Sequence, residues 1–142
     1  MRIEDFDVDG ICNSASDIVK TVSNKELDFS VESLQIAEEC IQKLRTMNRK
    51  GLLNETACWN AAVCLGTYFG EVMLRDKLKA KGFSWQINES DLPVLMDSTR
   101  QNAVSPISKV DKKLSDIEFE IDQEGSLDSV YEVFLFLIER SP

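Results

Sequence analysis

Three aspartates, Asp5, Asp7 and Asp9, alternate directly before Gly10 in the run DFDVDG. Oxygen ligands at positions one, three and five, followed by a glycine that permits a sharp turn, form the opening half of a calcium loop. A bidentate Glu at position twelve then closes the cage. Counted from Asp5, position twelve is Ser16, with Asp17 beside it, and only four residues precede the loop where an entering helix should stand. An exposed acidic turn is therefore the simpler reading, and calcium binding at Asp5, Asp7 and Asp9 the weaker alternative. The second candidate is Glu71, in AAVCLGTYFGEVMLRD. Desolvated in a pocket, its carboxylate could act as a general acid or base. An enzyme of this kind would set Glu71 near Tyr68, Trp59 and Trp85, in a cleft between a central helix and a sheet. Arg75, four residues on, offers the plainer account, an ion pair along one helix face. Gly66 and Gly70 fall one turn apart on the same helix and would let another backbone come close.

The rest of the composition narrows the chemistry. The 142 residues contain no His, which removes the commonest general base, the usual zinc ligand and the Ser-His and Cys-His nucleophile pairs. Cys12, Cys40, Cys58 and Cys64 form no CxxC pair, so neither a metal nor any other cofactor is indicated. The formal net charge is −9, a balance that disfavours binding to nucleic-acid phosphates. Charge is also uneven. Residues 1–42 hold ten acids and three bases, 43–113 seven acids and twelve bases, and 114–142 eight acids and one base. Acidic ends of this kind steer a basic protein partner. The N-terminus has no apolar run of signal-peptide type and no uncharged stretch is long enough to span a bilayer. The expected setting is cytoplasmic, with reduced thiols and no membrane association.

The elements that would position these residues follow from periodicity. Residues 1–27 are polar and weakly patterned, and read as a loosely packed arm with one short helix over 14–22. Ser30 caps a helix running to Arg49, in which Val31, Leu34, Ala37, Ile41 and Leu44 recur at three- and four-residue spacing. Gly51 stops it. Asn54 caps the next helix, whose segment 57–69, ACWNAAVCLGTYF, carries no charge on any face. That is the pattern of a helix surrounded by other elements. Bases gather in its last turns, and Gly82 ends it.

Beyond Gly82 the period changes to two. Phe83, Trp85 and Ile87 alternate with Ser84, Gln86 and Asn88, predicting a half-buried strand. Residues 93–96 supply its antiparallel partner and 103–104 a short third strand. Ser105-Pro106 starts a helix to about Leu114. Ile117, Phe119 and Ile121 alternate with acids, as in a strand with one buried face. Ser126 caps a final helix to about Glu139, although VYEVFLFLI is rich enough in β-branched and aromatic residues to keep a buried strand as the alternative.

The order ETACWNAAVCLGTYFGEVML, GFSW, LPVL, NAVSPISKVDKKL and DSVYEVF resembles a loose group of uncharacterised bacterial domains of unknown function. The resemblance covers about residues 55–136. It implies an α+β fold and a helix over 130–138, and it brings no activity with it. This chain departs from the group's pattern in having Ser105-Pro106 after Asn102 and an acidic DIEFEIDQEG stretch before the last helix.

Together these readings predict one α+β domain: two long helices packed on a small, mostly antiparallel sheet, with two further helices near the C-terminus. The expected core is Leu34, Ile41, Leu44, Trp59, Ala62, Leu65, Phe69, Val72, Trp85, Ile87, Val94, Val110, Leu114, Val130, Phe134 and Leu137. The expected function is protein interaction, of an immunity-type or regulatory kind. A small enzyme using Glu71 is the alternative.

Overall fold

The computed structural model describes residues 2–115 and 125–140. The strand expected over 117–121 lies outside them. The fold is α+β. A single 3₁₀ turn, Ile3–Asp5, leads into α1 (Val8–Ser23), α2 (Ser33–Arg49) and α3 (Glu55–Met73). A π-helical turn, Leu74–Leu78, extends α3. Strands β1 (Ser84–Ile87), β2 (Pro93–Met96) and β3 (Ala103–Val104) follow, then α4 (Pro106–Ser115) and α5 (Leu127–Glu139).

The N-terminal region differs from the loose arm that its polarity suggests. Helix α1 starts at Val8 instead of residue 14, and its Cys12, Ala15 and Val19 are buried in the main core. Two of these side chains are small. They give a faint hydrophobic signal in sequence, yet they let α1 lie close to α2 and α3. Asp7 accepts the Gly10 N–H at 3.1 Å and so caps the helix, while Asn24, at φ 53°, ends it in the left-handed conformation.

Helix α2 follows its predicted apolar pattern but begins at Ser33, later than a Ser30 cap would set it, with Glu32 at the N-cap position and no side-chain cap from it. The Ser30 hydroxyl accepts the Ser33 N–H at 3.1 Å, and Leu34, Ala37, Ile41 and Leu44 are buried. Helix α3 is capped by Asn54, which accepts the Ala57 N–H at 2.7 Å. From Leu65 through Gly70 every residue of α3 is buried, because α1, α2 and α4 close around it. Its first turns are covered on one side alone, by way of Cys58, Ala61 and Ala62. Trp59 is consequently 42% exposed and does not belong to the core. An uncharged helix segment is fully enclosed only where neighbours exist on all sides.

Helices α3 and α4 meet at backbone contact. A Cβ added at Gly66 would lie 2.5 Å from Ile107 Cα and 3.0 Å from the Pro106 carbonyl oxygen. At Gly70 it would lie 2.4 Å from the Trp85 ring. The two glycines thus seat α4 and β1 against α3. Gly66→Ala is expected to destabilise the fold by about 1–3 kcal/mol despite the better helix propensity of Ala, because backbone has to move to admit the methyl. Urea denaturation would read this as a lower midpoint at unchanged slope.

The sheet has the order β1-β2-β3 and is antiparallel throughout, with Trp85 opposite Leu95, Ile87 opposite Pro93 and Leu95 opposite Val104. All four residues of β2 are buried, while Trp85 and Ile87 at the edge are half-buried. Helix α5 forms as predicted. Leu127, Val130 and Tyr131 are buried, but Leu137 is 57% exposed and so lies outside the core expected for it. Among the described residues no element covers that side of α5.

Candidate docking surface

Glu71 lies on the last turn of α3 with its side chain 14% exposed. Trp85 Nε1 donates to its Oε2 at 2.9 Å, and Arg75 Nη2 stands 3.4 Å from its Oε1. The Arg75 guanidinium also lies over the Phe29 ring, 3.6 Å from its centroid, and Phe6 packs edge-on against Trp85 at 5.1 Å. Both carboxylate oxygens are therefore engaged, and the indole packs against Gly70 beside them.

Tyr68 does not join Glu71. Its hydroxyl lies 2.6 Å from Ser33 Oγ and accepts the Phe29 N–H at 2.9 Å, tying α3 to the start of α2. Trp59 lies three turns earlier on α3, at the surface. Nor do the aspartates assemble a cage. Asp5 ends the 3₁₀ turn, Asp7 caps α1 and Asp9 lies in its first turn. Among the described residues, no group of three carboxylate, thiol or imidazole side chains is placed to hold a metal ion.

The buried thiols and phenols share one tendency. Burial foremost, and then the nearby Glu71 charge, pushes Cys12 from its ordinary 9.0 up to about 12. Burial lifts Cys40 to about 11. Tyr68 is raised by burial as well, and Tyr131 by burial and then by Asp76, to which its hydroxyl donates at 2.6 Å. A group with a raised folded pKa holds its proton more tightly folded than unfolded. Its contribution is complete below the unfolded value, near 9.0 for the thiols, and is lost as pH rises through 11 and 12. Stability is therefore expected to decline steadily above about pH 9. Thermal melts in a buffer series would show this, and Cys12→Ala should soften the decline.

A larger surface feature lies on α5. Of six exposed large hydrophobic residues among those described, three lie within five positions of α5: Val133 (56%), Phe136 (53%) and Leu137 (57%). Their i, i+3, i+4 spacing places them on one helix face. Beside that face runs a groove of about 410 Å³, walled by Ala103 and Val104 of β3, Lys109 of α4, and Val130, Val133, Phe134 and Leu137 of α5. Arg140 stacks on Phe136 at 4.2 Å, and Glu132 is exposed next to Val133.

A buried polar cluster holds α5 in place. Lys113 of α4, its side chain 3% exposed, pairs with Glu38 of α2 at 3.1 Å and donates to the Gly125 carbonyl at 2.6 Å. Glu38 Oε1 in turn accepts the Leu127 N–H at 2.9 Å. Ser126 makes no capping bond to the helix, so a carboxylate from another helix supplies the acceptor that the first turn of α5 needs. The clue available in sequence is that VYEVFLFLI carries a single charged residue, Glu132, which fits a helix enclosed on nearly all sides or one that leaves an apolar face bare. Periodicity cannot separate the two.

No family model, curated protein or solved structure matches this chain. No helix of the described residues is long and apolar enough to cross a membrane.

Proposed function

We propose that this is a protein-interaction protein, and that it docks a basic amphipathic helix of its partner on the outer face of α5 and into the groove beside it. The observation that carries this reading is the cluster Val133, Phe136 and Leu137, each more than half exposed on a short length of one helix. Contiguous apolar surface of this kind marks interaction sites. Helix-in-groove recognition uses anchors at the same i, i+3, i+4 spacing. Charge selects the partner's sign. The chain carries −9 overall, so a helix whose apolar stripe is flanked by Lys or Arg is favoured in encounter.

A cytoplasmic setting belongs to this reading, with Cys12, Cys40, Cys58 and Cys64 as free thiols. An immunity-type or regulatory role, neutralising or controlling a basic partner, is the form of function it describes. Catalysis by Glu71 has less support, because Trp85 and Arg75 already engage its carboxylate and the indole fills the space beside it.

A synthetic Leu/Lys amphipathic helix and its Leu/Glu counterpart test the surface chemistry directly by calorimetric titration. The Lys peptide should bind, the Glu peptide should not, and Leu137→Asp should weaken the Lys peptide by about tenfold or more. Equal binding of both peptides, or binding that Val133→Asp and Leu137→Asp leave unchanged, would remove the proposal.

A further inference from the structure

We infer that the N-terminal turn is a guard over the outer side of β1, held in place by the Phe6 ring, and that it keeps this strand from pairing with further copies of the chain. The strand has no protection of its own. Asn88 N–H donates to Leu92 C=O at 2.9 Å, and with Gln86 opposite Val94 and Ser84 opposite Met96 the bonded pairs alternate along the ladder, so that Gln86 points its amide and carbonyl at β2. Trp85 and Ile87 turn theirs outward. The sheet order β1-β2-β3 puts no strand beside them, and no described backbone bond takes up these groups. Ser-Trp-Gln-Ile also contains neither Pro nor any charge, the residue types that commonly blunt a strand edge.

The turn Ile3–Asp5 supplies what the strand lacks. It packs against β1, and Arg2, Ile3 and Glu4 wall the groove of about 610 Å³ that runs along Trp85, Gln86 and Ile87. A neighbouring strand would lie about 4.8 Å from β1, in the lane that this wall takes, and Arg2 and Glu4 set charges across its path. The turn blocks the lane without bonding to the strand. Its own bonds close back on themselves, from Asp5 N–H to Arg2 C=O and from Phe6 N–H to Ile3 C=O, and residues 2–5 are all exposed. Phe6 is the buried residue of this segment, its ring edge-on to Trp85 at 5.1 Å. The indole gives it a fixed platform, packed against Gly70 and donating through Nε1 to Glu71 at 2.9 Å. At the other end Asp7 ties the chain into α1 through its bond from Gly10 N–H. Phe6 is not a member of the main core cluster, so loss of its ring should free the turn and leave the helices packed.

Sedimentation equilibrium on the whole chain and its variants, from low to high micromolar, tests this in about 500 mM salt, which screens the −9 that each copy carries. The parent protein is expected to stay at 16.1 kDa. Phe6→Ala and Phe6→Asp should both show a mass that rises with concentration, while circular dichroism still reads a folded chain. Gln86→Lys puts a charge into the bare strand and leaves the ladder to β2 intact. Added to Phe6→Ala, it should weaken association by about tenfold or more, whereas Leu137→Asp added to Phe6→Ala should leave association unchanged. A mass that stays at 16.1 kDa in both Phe6 variants, or a parent protein that associates as readily as they do, would overturn the inference. So would association of Phe6→Ala that Gln86→Lys does not weaken or that Leu137→Asp abolishes, and so would unfolding of both Phe6 variants, which would make the ring a support of the core.

Discussion

Lys113→Met is expected to lower the unfolding free energy by about 3 kcal/mol, toward the lower end of what breaking a buried ion pair costs, because Glu38 keeps slight contact with water. The ammonium of Lys113 lies between the Glu38 carboxylate at 3.1 Å and the Gly125 carbonyl at 2.6 Å. Methionine matches the length of the stem but leaves both acceptors without their donor. Glu38 would retain the Leu127 N–H and the Gln42 side-chain amide, at 2.9 and 2.7 Å, so the loss falls on the junction of α2, α4 and α5. Adding Glu38→Leu should recover part of the stability, since a buried pair replaced by apolar groups of similar volume is often neutral. Recovery should stay incomplete, because the first turn of α5 then lacks its acceptor. Urea titrations of the two single variants and the double variant give the coupling directly. A loss below about 1 kcal/mol for Lys113→Met would place the ammonium in a far wetter setting than the structure gives it.

Leu65→Ala is expected to cost about 2–5 kcal/mol, in the upper part of that range. Leu65 is fully buried at the centre of α3. The cost of such a truncation depends on how far the surroundings collapse into the space left behind. Here α4 cannot move inward, because Gly66 already meets Ile107 and Pro106 at backbone contact. The cavity should persist, and the denaturation midpoint should fall with an unchanged slope. A loss near 1 kcal/mol would mean that the helices do shift to fill the space.

The sequence was most informative where a residue's role depends on its own neighbours along the chain. The cap at Asn54, the strand that follows Gly82, the helix start at Pro106 and the close approach at Gly66 and Gly70 are all local chemistry, and all appear in the structure. Roles set by distant elements were harder to read. Trp59 and Leu137 look like core residues on their own helices, and only the placement of α1, α2, α4 and β3 leaves them at the surface. Helix α1 was obscured by the small size of Cys12 and Ala15, which bury well and signal weakly. The Glu38–Lys113 cluster joins residues 75 positions apart, a separation at which no periodicity operates. The Arg75 partner of Glu71 is legible from the four-residue spacing. The bond of Glu71 to Trp85 depends on how the sheet folds back on α3.

In the proposed function the outer face of α5 is where the partner helix docks. Amide hydrogen exchange on the whole chain, with and without the Leu/Lys helix, tests this most directly. Slower exchange on binding is predicted along α5 from Val130 to Leu137 and at Ala103 and Val104 of β3, with the amides of α1 unchanged. Protection centred on the Glu71 and Trp85 end of α3, with α5 exchanging as in the free protein, would contradict it.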